Sequence, residues 1–569
     1  MKKITIFTLF ISLLGQFTHA SNVAGTFLNE AIPTLTSPKE EIRAVWMTTI
    51  GGLDWPHSYS QSANSAKKQQ EEFCRTLDKL CAAGINTVLL QTRIRATTAF
   101  ESDMEPWDGA FSGFPGKSPG YDVLAFCAEE CHRRGMKLHA WVVCIPAGKW
   151  NGYGCKNLRR THPRMMKKVG DEGFLNPESS ETASYLADFC SDIARRYDVD
   201  GIHLDYIRYP DGWGKIRNKD YGRQCITRIV NEVSSAVKAE KKWIAISCSP
   251  VGKYADTKRQ WSHGWNARDI VCQDAILWLE RGYMDMLFPM MYFRDQNFFP
   301  FAIDWKERSV GKPISPGLGI YFMHPREKNW PLGDITRELE VCRQYGMGNA
   351  LFRSKFFTDN TKGIYDYYSQ PFATGPSTQP AMTWLSHARP AAPTGFSVKQ
   401  DGETTTLEWA DNGAHYNIYG ADSWPVNTSN GDNLLATELT SSSISFATPK
   451  TLKHFAVTAV DRYGNESAAT QLGEDENTAS APLEAKTVFK YDGQKILLRG
   501  TEVSEGQLII VRSVFGHDIT SSFAKKDASG RLYVAADNLQ PGHYKLFQLT
   551  SGKKPAEHSL GWLAVPVKN

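Results

Sequence analysis

The chain has 569 residues, of which 22% are charged, and its formal net charge is +4. This length predicts two to four domains and leaves room for one large hydrophobic core. The small net charge argues against a broad basic face for nucleic acid and favours neutral or weakly charged substrates.

The N-terminal residues have the pattern of a secretory signal peptide. Two lysines follow Met1, an apolar run extends over residues 4–14, and small residues surround Ala20. We therefore expect residues 1–20 to be removed near Ala20 and the protein to be exported to the periplasm, the cell surface or the medium. No other stretch reaches the roughly 20 apolar residues that a transmembrane helix needs, so no membrane span is predicted.

Residues 38–370 alternate short apolar runs with amphipathic helical segments, which predicts repeated βα units around a parallel sheet. The eight strand candidates are residues 42–48, 87–92, 137–144, 201–206, 243–248, 284–292, 314–321 and 349–353. Eight such units are the count of a (β/α)8 barrel. An open doubly wound sheet is the alternative, but the turn after the first strand has only Gly51 and Gly52 and lacks the dinucleotide-binding spacing.

The 11 cysteines all lie between Cys74 and Cys342. A disulfide-stapled protein normally has an even number, spread along the chain. Several of these cysteines take apolar helix positions, so we expect most to be buried thiols that act as small hydrophobic side chains.

Beyond the barrel the sequence predicts a linker and two small all-β domains. Residues 371–387 are rich in Pro, Ser, Thr and Ala, as linkers are. Residues 388–475 contain short alternating strands followed by the turn DRYGNES (461–467), and this pattern resembles a fibronectin type III domain. Residues 483–569 hold further strand candidates and predict a C-terminal β-sandwich.

The fourth barrel strand carries the most informative polar residues. Successive residues of a strand face opposite sides. Ile202 and Leu204 are therefore expected to face the helices, and His203 and Asp205 to face the barrel axis. Burying a polar group on that face costs free energy unless the group is hydrogen-bonded, ion-paired or serves a function. Asp205 is therefore the first candidate for catalysis. The alternative is a structural pair that Asp205 forms with Arg208 or His203.

Other strand ends place acidic groups beside aromatic rings. Trp46 and Asp54 follow the first strand, Arg93 and Glu105 the second, and Tyr292 and Asp295 the sixth. Aromatic faces stack on sugar rings, whereas carboxyl groups bond hydroxyls and supply acid and base. The combination favours a carbohydrate substrate.

Six segments fall in order along the predicted barrel: EIRAVWMTT (41–49), DWP (54–56), FESDMEPW (100–107), GIHLDYIRYP (201–210), SCSPVG (247–252) and GYMDMLFPMMY (282–292). Together they resemble the glycosyl hydrolase-like family 10 domain of exported bacterial proteins. The resemblance implies a (β/α)8 glycosidase fold and action on a glycan, with bacterial cell-wall glycan strands among the substrates associated with such proteins.

Glycoside hydrolysis needs two carboxyl groups, one as the acid and one as the nucleophile or base. Asp205 is the first, and the second stays open among rim residues. We therefore expect the catalytic residues to be Asp205, Glu105 and Asp295. Asp54 and Asp211 are further candidates for the second carboxyl group. The expected substrate-binding residues are Trp46, Asp54, Arg93, His203, Arg208 and Tyr292.

We expect no cofactor and no metal, and the sequence leaves the oligomeric state open. A non-catalytic carbohydrate-binding or cell-surface protein with a barrel fold is the alternative function. A metal-dependent deacetylase would need paired histidines on a strand, and the strands hold only His139 and His203.

Overall fold

The computed structural model describes residues 37–473, except 215, 217, 263, 402–403 and 448–451, and residues 489–565, except 499–502, 514–517, 538, 540–541 and 551–555. The predicted signal peptide, residues 1–20, lies outside the described residues. The barrel and the first β-domain form one unit, and residues 487–569 belong to a second.

The described residues of the first part of the chain contain eleven strands. They are β1 (Arg43–Met47), β2 (Thr87–Arg93), β3 (Lys137–Val143), β4 (Pro146–Lys149), β5 (Met166–Val169), β6 (Glu172–Leu175), β7 (Gly201–Asp205), β8 (Ala245–Cys248), β9 (Met286–Leu287), β10 (Gly317–Leu318) and β11 (Asn349–Leu351). Eight of them form one parallel sheet in the order β10-β11-β1-β2-β3-β7-β8-β9.

Parallel bridges join the two edges of this sheet. Leu287 pairs with Ile314, and Met290 pairs with Gly317, so β9 lies beside β10. The eight strands thus follow one another around a closed barrel in chain order, and the predicted (β/α)8 fold is confirmed. The sixth and seventh strands are only two residues long because nearby prolines, among them Pro289 and Pro316, lack the N–H that would extend the ladder.

Helices alternate with the barrel strands. They are α1 (Ala63–Ala82), α2 (Gly109–Ser112), α3 (Val123–His132), α4 (Tyr153–Thr161), α5 (Ser180–Arg196), α6 (Lys219–Glu240), α7 (Ala275–Glu280), α8 (Phe299–Glu307), α9 (Leu332–Gln344), α10 (Ser354–Thr358) and α11 (Ile364–Tyr367). Helix α1 shows the local logic: Ser62 caps its first turn, and Phe73, Leu77 and Leu80 bury the face toward the sheet.

An antiparallel sheet is inserted between β3 and α5. Its strands run in the order β4-β6-β5, and Lys167 lies opposite Phe174. Because β4 begins three residues after β3 ends, this sheet stands at the carboxyl end of the barrel. We refer to residues 146–175 as the arm. The sequence did not predict it.

Residues 371–387 are packed against the barrel and are not a free linker. Thr378 exchanges backbone hydrogen bonds with Lys39 and Glu41, and Trp384 donates its indole N–H to Asp285 at 2.8 Å. Met382 is buried among the residues that fill the barrel, with Trp384 partly buried beside it. The polar composition suggested an extended tether, but its few apolar side chains cover the end of the barrel core that βα loops leave open.

The first β-domain is a sandwich, and its described residues form seven strands. They are β12 (Ser397–Asp401), β13 (Thr404–Glu408), β14 (His415–Ala421), β15 (Leu434–Leu439), β16 (Ser443–Ala447), β17 (His454–Val460) and β18 (Thr470–Gln471). One antiparallel sheet has the order β12-β13-β16 and the other β15-β14-β17-β18. Leu407, Trp409, Tyr416 and Val457 belong to the core between them.

The described residues of the second unit form two four-stranded antiparallel sheets. Its strands are β19 (Phe489–Tyr491), β20 (Lys495–Leu498), β21 (Leu508–Ser513), β22 (Asp518–Phe523), β23 (Lys525–Lys526), β24 (Leu532–Ala535), β25 (Gly542–Thr550) and β26 (Ala556–Val565). The sheet orders are β19-β20-β24-β23 and β22-β21-β25-β26, and Ile496, Ile509 and Leu546 are buried in a common core. The prediction of β-domains after the barrel is confirmed.

All 11 cysteines are free and nine of them are buried, which confirms the expectation of packed thiols. Within the described ranges, no helix has the length and apolar character required to cross a membrane.

Candidate active site

A cleft of about 590 Å³ opens at the carboxyl ends of the barrel strands. This volume lies within the range of small-molecule and sugar sites, and this end of a (β/α)8 barrel is where active sites lie. The acidic side chains that line it are Asp205, Glu172 and Asp211. Its aromatic lining consists of Trp46, Trp141, Phe174, Tyr206, Tyr292 and Phe352.

Asp205 ends strand β7 at the floor of the cleft and is only 5% exposed. Its Oδ1 accepts hydrogen bonds from the Ser249 hydroxyl at 2.7 Å and from the Tyr206 backbone N–H at 2.8 Å. Its Oδ2 accepts one from the Trp141 indole N–H at 3.0 Å. Burial raises the pKa of Asp205 above the usual carboxyl value, although these donors oppose the rise.

Three neighbouring strands bring this group together. Val143 of β3 lies opposite Asp205, so Trp141, two residues earlier, shares the inward face with it. Ser249 follows the end of β8, which pairs with β7 on its other side. The inward direction of Asp205 predicted from the period-two pattern agrees with these contacts.

His203 lies one layer below the cleft, fully buried. It accepts a hydrogen bond from the Trp46 indole N–H at 3.2 Å, and its Nδ1 lies 3.0 Å from the Ser247 hydroxyl. Burial lowers the pKa of His203 well below its usual value, so the imidazole is neutral. Trp46 lines the cleft whereas His203 does not, and His203 holds Trp46 in place.

Arg93 and Glu105 form a fully buried ion pair outside the cleft lining. The guanidinium Nη2 lies 2.6 Å from Glu105 Oε1, and Tyr185 donates its hydroxyl to the same oxygen at 2.9 Å. Strand β2 shifts register between Gln91 and Arg93, so Arg93 leaves the face on which Gln91 lines the cleft. With no exposed side-chain surface, neither group is placed to contact a glycan, which departs from the sequence prediction.

Asp54 and Asp295 also lie outside the cleft lining. Asp54 accepts hydrogen bonds from Thr48 N and Lys355 N and pairs with Arg353, so it holds the loop after β1. Asp295 is exposed and pairs with Arg337 at 2.5 Å. The structure therefore does not bring either carboxylate to Asp205.

Arg208 supports an aromatic shelf at the edge of the cleft. Its guanidinium carbon lies 4.6 Å from the centre of the Tyr206 ring and 5.6 Å from that of Trp265. The Arg208 side chain is only 5% exposed and pairs with Asp211 at 3.0 Å. Tyr206, with a φ of 49°, and Trp265 remain 38% and 45% exposed. The two rings offer accessible faces for stacking on sugars.

Of the predicted binding residues, Trp46 and Tyr292 line the cleft directly. Sequence reasoning missed Trp141, Ser249 and Glu172. Trp141 could have been found, because it shares the inward alternation of His139, and Ser249 lies within a segment that carries the family resemblance. Glu172 stands on the arm, for which the sequence gives no comparable signal.

The model of a family described as glycosyl hydrolase-like 10 matches residues 41–223. The chain is similar to glycosyl hydrolase YngK of Bacillus subtilis (strain 168), with 26% identity over 502 residues that cover 79% of this chain and 97% of the relative. It is 27% identical to glycosyl hydrolase DigH of Escherichia coli (strain K12) over 294 residues, 46% of this chain and 67% of the relative. These matches support a glycoside hydrolase-like role.

Among solved structures, the PgaB (BpsB) glycoside hydrolase domain from Bordetella bronchiseptica aligns over 58% of this chain and 99% of that domain. The sequence identity is 11% and the TM-score is 0.41.

Proposed function

We propose that this protein is an exported glycoside hydrolase that cleaves a glycan in the cleft, with Asp205 as the proton donor. The observation that carries the proposal is the buried Asp205 carboxyl, held by three donors at the floor of an aromatic-lined cleft. The cell-wall glycan strands implied by the sequence resemblance are the first substrates to test.

The environment of Asp205 suits a general acid. Burial raises its pKa, which keeps a larger fraction of the carboxyl protonated near neutral pH. The proton passes to the glycosidic oxygen as the bond to the anomeric carbon breaks. The Trp141 and Ser249 donors then stabilise the carboxylate that remains.

Glu172 and Asp211 are the candidates for the second carboxyl group. Both line the cleft, and each stands beside a cation: Lys149 lies 3.5 Å from Glu172, and Arg208 lies 3.0 Å from Asp211. Glycoside hydrolysis needs a second carboxyl group in the same cleft, as the nucleophile or as the base. We propose that one of these two takes that role, in place of Glu105 or Asp295.

Aromatic rings supply the sugar-binding surface in this proposal. Trp46, Tyr206 and Tyr292 line the cleft, and Trp265 extends the surface beyond its edge. Sugar rings expose C–H groups that pack on such faces. The β-sandwich at residues 388–475 is proposed to be a fibronectin type III-like module that supports the barrel.

Asp205→Asn tests the assignment. The amide keeps the size of the side chain but transfers no proton, so turnover falls by at least about a thousandfold, on the order of 4 kcal/mol in the barrier. Asp295→Asn is the matched control, because it makes the same change outside the cleft lining and leaves turnover within about twofold. Amidase-stripped peptidoglycan strands and a panel of polysaccharides serve as substrates, with product profiling.

The outcome separates three cases. A stable Asp205→Asn protein that still binds glycan but releases no products supports the proposal. A stable variant with near full turnover removes Asp205 from the mechanism. A wild-type protein that binds glycans and cleaves none is the non-catalytic carbohydrate-binding protein.

The second carboxyl group is identified by azide rescue. Azide replaces a missing nucleophile or base, so it restores turnover of whichever of Glu172→Ala and Asp211→Ala has lost that group. The configuration of the glycosyl azide reports whether the enzyme retains or inverts.

A further inference from the structure

We propose that the glycan is acidic and that the arm, together with Arg95, recognises its negative groups. This inference rests on the proposed function and specifies the substrate class of the same cleft. Carboxylate and sulfate groups share the required chemistry, and the experiment below distinguishes them.

The arm concentrates positive charge that the rest of the chain does not have. Its residues 146–175 include seven Lys and Arg side chains but only Asp171 and Glu172 as acids, a formal net charge of +5. The whole chain has +4, so the remaining residues sum to −1. Six of the seven cations are exposed: Lys149, Lys156, Arg160, Arg164, Lys167 and Lys168.

These charges are almost unpaired. Among the residues that the structure describes, the pair of Lys149 with Glu172 at 3.5 Å is the only ion pair that the seven side chains make. Lys167 instead lies 3.8 Å from the centre of the Trp213 ring, and Lys168 lies 5.9 Å from that of Trp150. Contacts with rings leave the charge available to a ligand.

The arm forms one wall of the cleft. Pro146, Gly148, Glu172 and Phe174 all line it. Arg95, which also lines the cleft, packs at Gly148: a Cβ built there would lie 2.9 Å from Cβ of Arg95. The arm therefore borders the cavity that contains Asp205. Its six exposed cations lie outside the lining, whereas Arg95 places a positive charge in the lining itself.

Arg95 differs from the other arginines of the cleft region. Arg353 pairs with Asp54, and Arg208 pairs with Asp211. Arg95 is exposed and has no ion pair within the described part of the chain. A guanidinium binds a carboxylate or sulfate through two parallel N–H donors, so Arg95 provides a specific contact where the arm provides a general field.

A surface of one charge beside a cleft raises the local concentration of a ligand of the opposite charge at the opening of that cleft. An anionic membrane or a nucleic acid would also be attracted to the lysines of the arm, but neither would account for the exposed Arg95 in the lining of the cavity. The position of the arm beside Asp205 favours a glycan chain that passes between the arm and the opposite wall.

Binding of defined glycans to the full-length protein tests the inference. The carboxylated probe is amidase-stripped peptidoglycan strands, the neutral probe is the same strands with their carboxyl groups converted to amides, and the sulfated probe is chondroitin sulfate. We expect the wild type to bind at least one acidic probe about tenfold more tightly than the neutral one at low salt, with the difference shrinking as salt increases.

Two variants remove the proposed contacts. Arg95→Gln removes the contact in the cleft, and Lys149→Gln/Lys167→Gln/Lys168→Gln removes three charges of the arm. Each is expected to weaken binding of the preferred acidic probe by about tenfold and to leave binding of the amidated strands unchanged. Whether the carboxylated or the sulfated probe shows the larger loss identifies the group that is recognised.

The control variant is Lys67→Gln/Lys68→Gln/Arg75→Gln on α1, which removes three exposed charges away from the cleft lining. If this control lost as much affinity for the acidic probe as the arm variant does, the loss would be an effect of net charge alone, and the inference would be overturned. Equal affinity of the wild type for all three probes would also overturn it. Phosphatidylglycerol vesicles serve as a further probe. If the arm variant lost binding only to these vesicles, the arm would be a membrane contact and the inference would be overturned.

Affinity and product release are separate measurements, so this inference and the hydrolase proposal can be contradicted independently of each other. Cleavage of amidated and acidic strands at the same rate, with equal affinities, would retain the hydrolase and exclude an acidic substrate. Selective binding of acidic strands without products would retain the basic site and exclude hydrolysis.

Discussion

Glu438→Gln tests whether the first β-domain is an integral part of the barrel's stability. Glu438 stands on β15 of the sandwich and is buried against the amino end of barrel strand β3. Its carboxylate lies 3.2 Å from Nζ of Lys137 and 2.8 Å from Nδ1 of His415. The amide keeps the shape of the side chain but leaves Lys137 buried without its counter-charge.

The magnitude follows from the pKa of Glu438. Burial alone raises it, but Lys137 and His415 outweigh burial and lower the pKa from 4.5 to about 2. This depression corresponds to roughly 3 kcal/mol of folding stability at neutral pH, and removing one partner of a buried pair has a cost of similar size.

The sign of the pH dependence is determined by the lowered pKa. The stabilisation is fully present above the unfolded value of 4.5 and is lost as the pH falls toward about 2. The difference in unfolding free energy between the wild type and Glu438→Gln should therefore shrink from about 3 kcal/mol at neutral pH to about 1 kcal/mol near pH 3.

Urea unfolding of the full-length protein at both pH values, followed by tryptophan fluorescence, measures this difference. Glu408→Gln is the matched control, because Glu408 also pairs with a lysine of the sandwich, at 2.5 Å from Lys399, but is exposed. It should cost less than about 1 kcal/mol. Equal effects of the two substitutions, or a difference that does not change with pH, would refute the reasoning.

Three further outcomes are expected. Ser249→Ala removes a donor that lowers the pKa of Asp205, so the basic limb of the kcat/KM profile should move to higher pH; an unchanged limb would contradict the acid role. Glu105→Gln should lower the unfolding free energy by about 3 kcal/mol, because it leaves Arg93 buried and unpaired, while turnover per folded molecule stays within about tenfold. A chain ending at residue 375 should aggregate on expression and one ending at residue 473 should fold, as judged by gel filtration and circular dichroism, because residues 376–387 cover the barrel core; a folded, monomeric shorter chain would contradict this.

The last of these expectations reverses what the polar composition of residues 371–387 suggested. Composition indicated a tether with few contacts, and on that basis the barrel would fold alone. Met382 and Trp384 are only two side chains in a polar segment, so composition averages them away. Their effect depends on the space beneath the barrel, which exists only once eight strands have closed.

Local patterns in the sequence were enough for the barrel itself and for the direction of its fourth strand. Alternation placed His203 and Asp205 inward because successive strand residues face opposite sides, a geometric property that tertiary contacts do not change. The carboxyl end of the barrel followed from the order of strands and helices.

Only the tertiary structure decided which groups meet Asp205. A register shift in β2 turned Arg93 away from the cleft and into a buried pair with Glu105, whereas the arm brought Glu172 to the cleft from 33 residues before Asp205 in the chain. Loop carboxylates have no periodicity from which their direction could be read, because the path of a loop depends on what it packs against. The sequence by itself thus determined the barrel and the inward direction of Asp205, and the packing of the loops determined which side chains share the cleft with it.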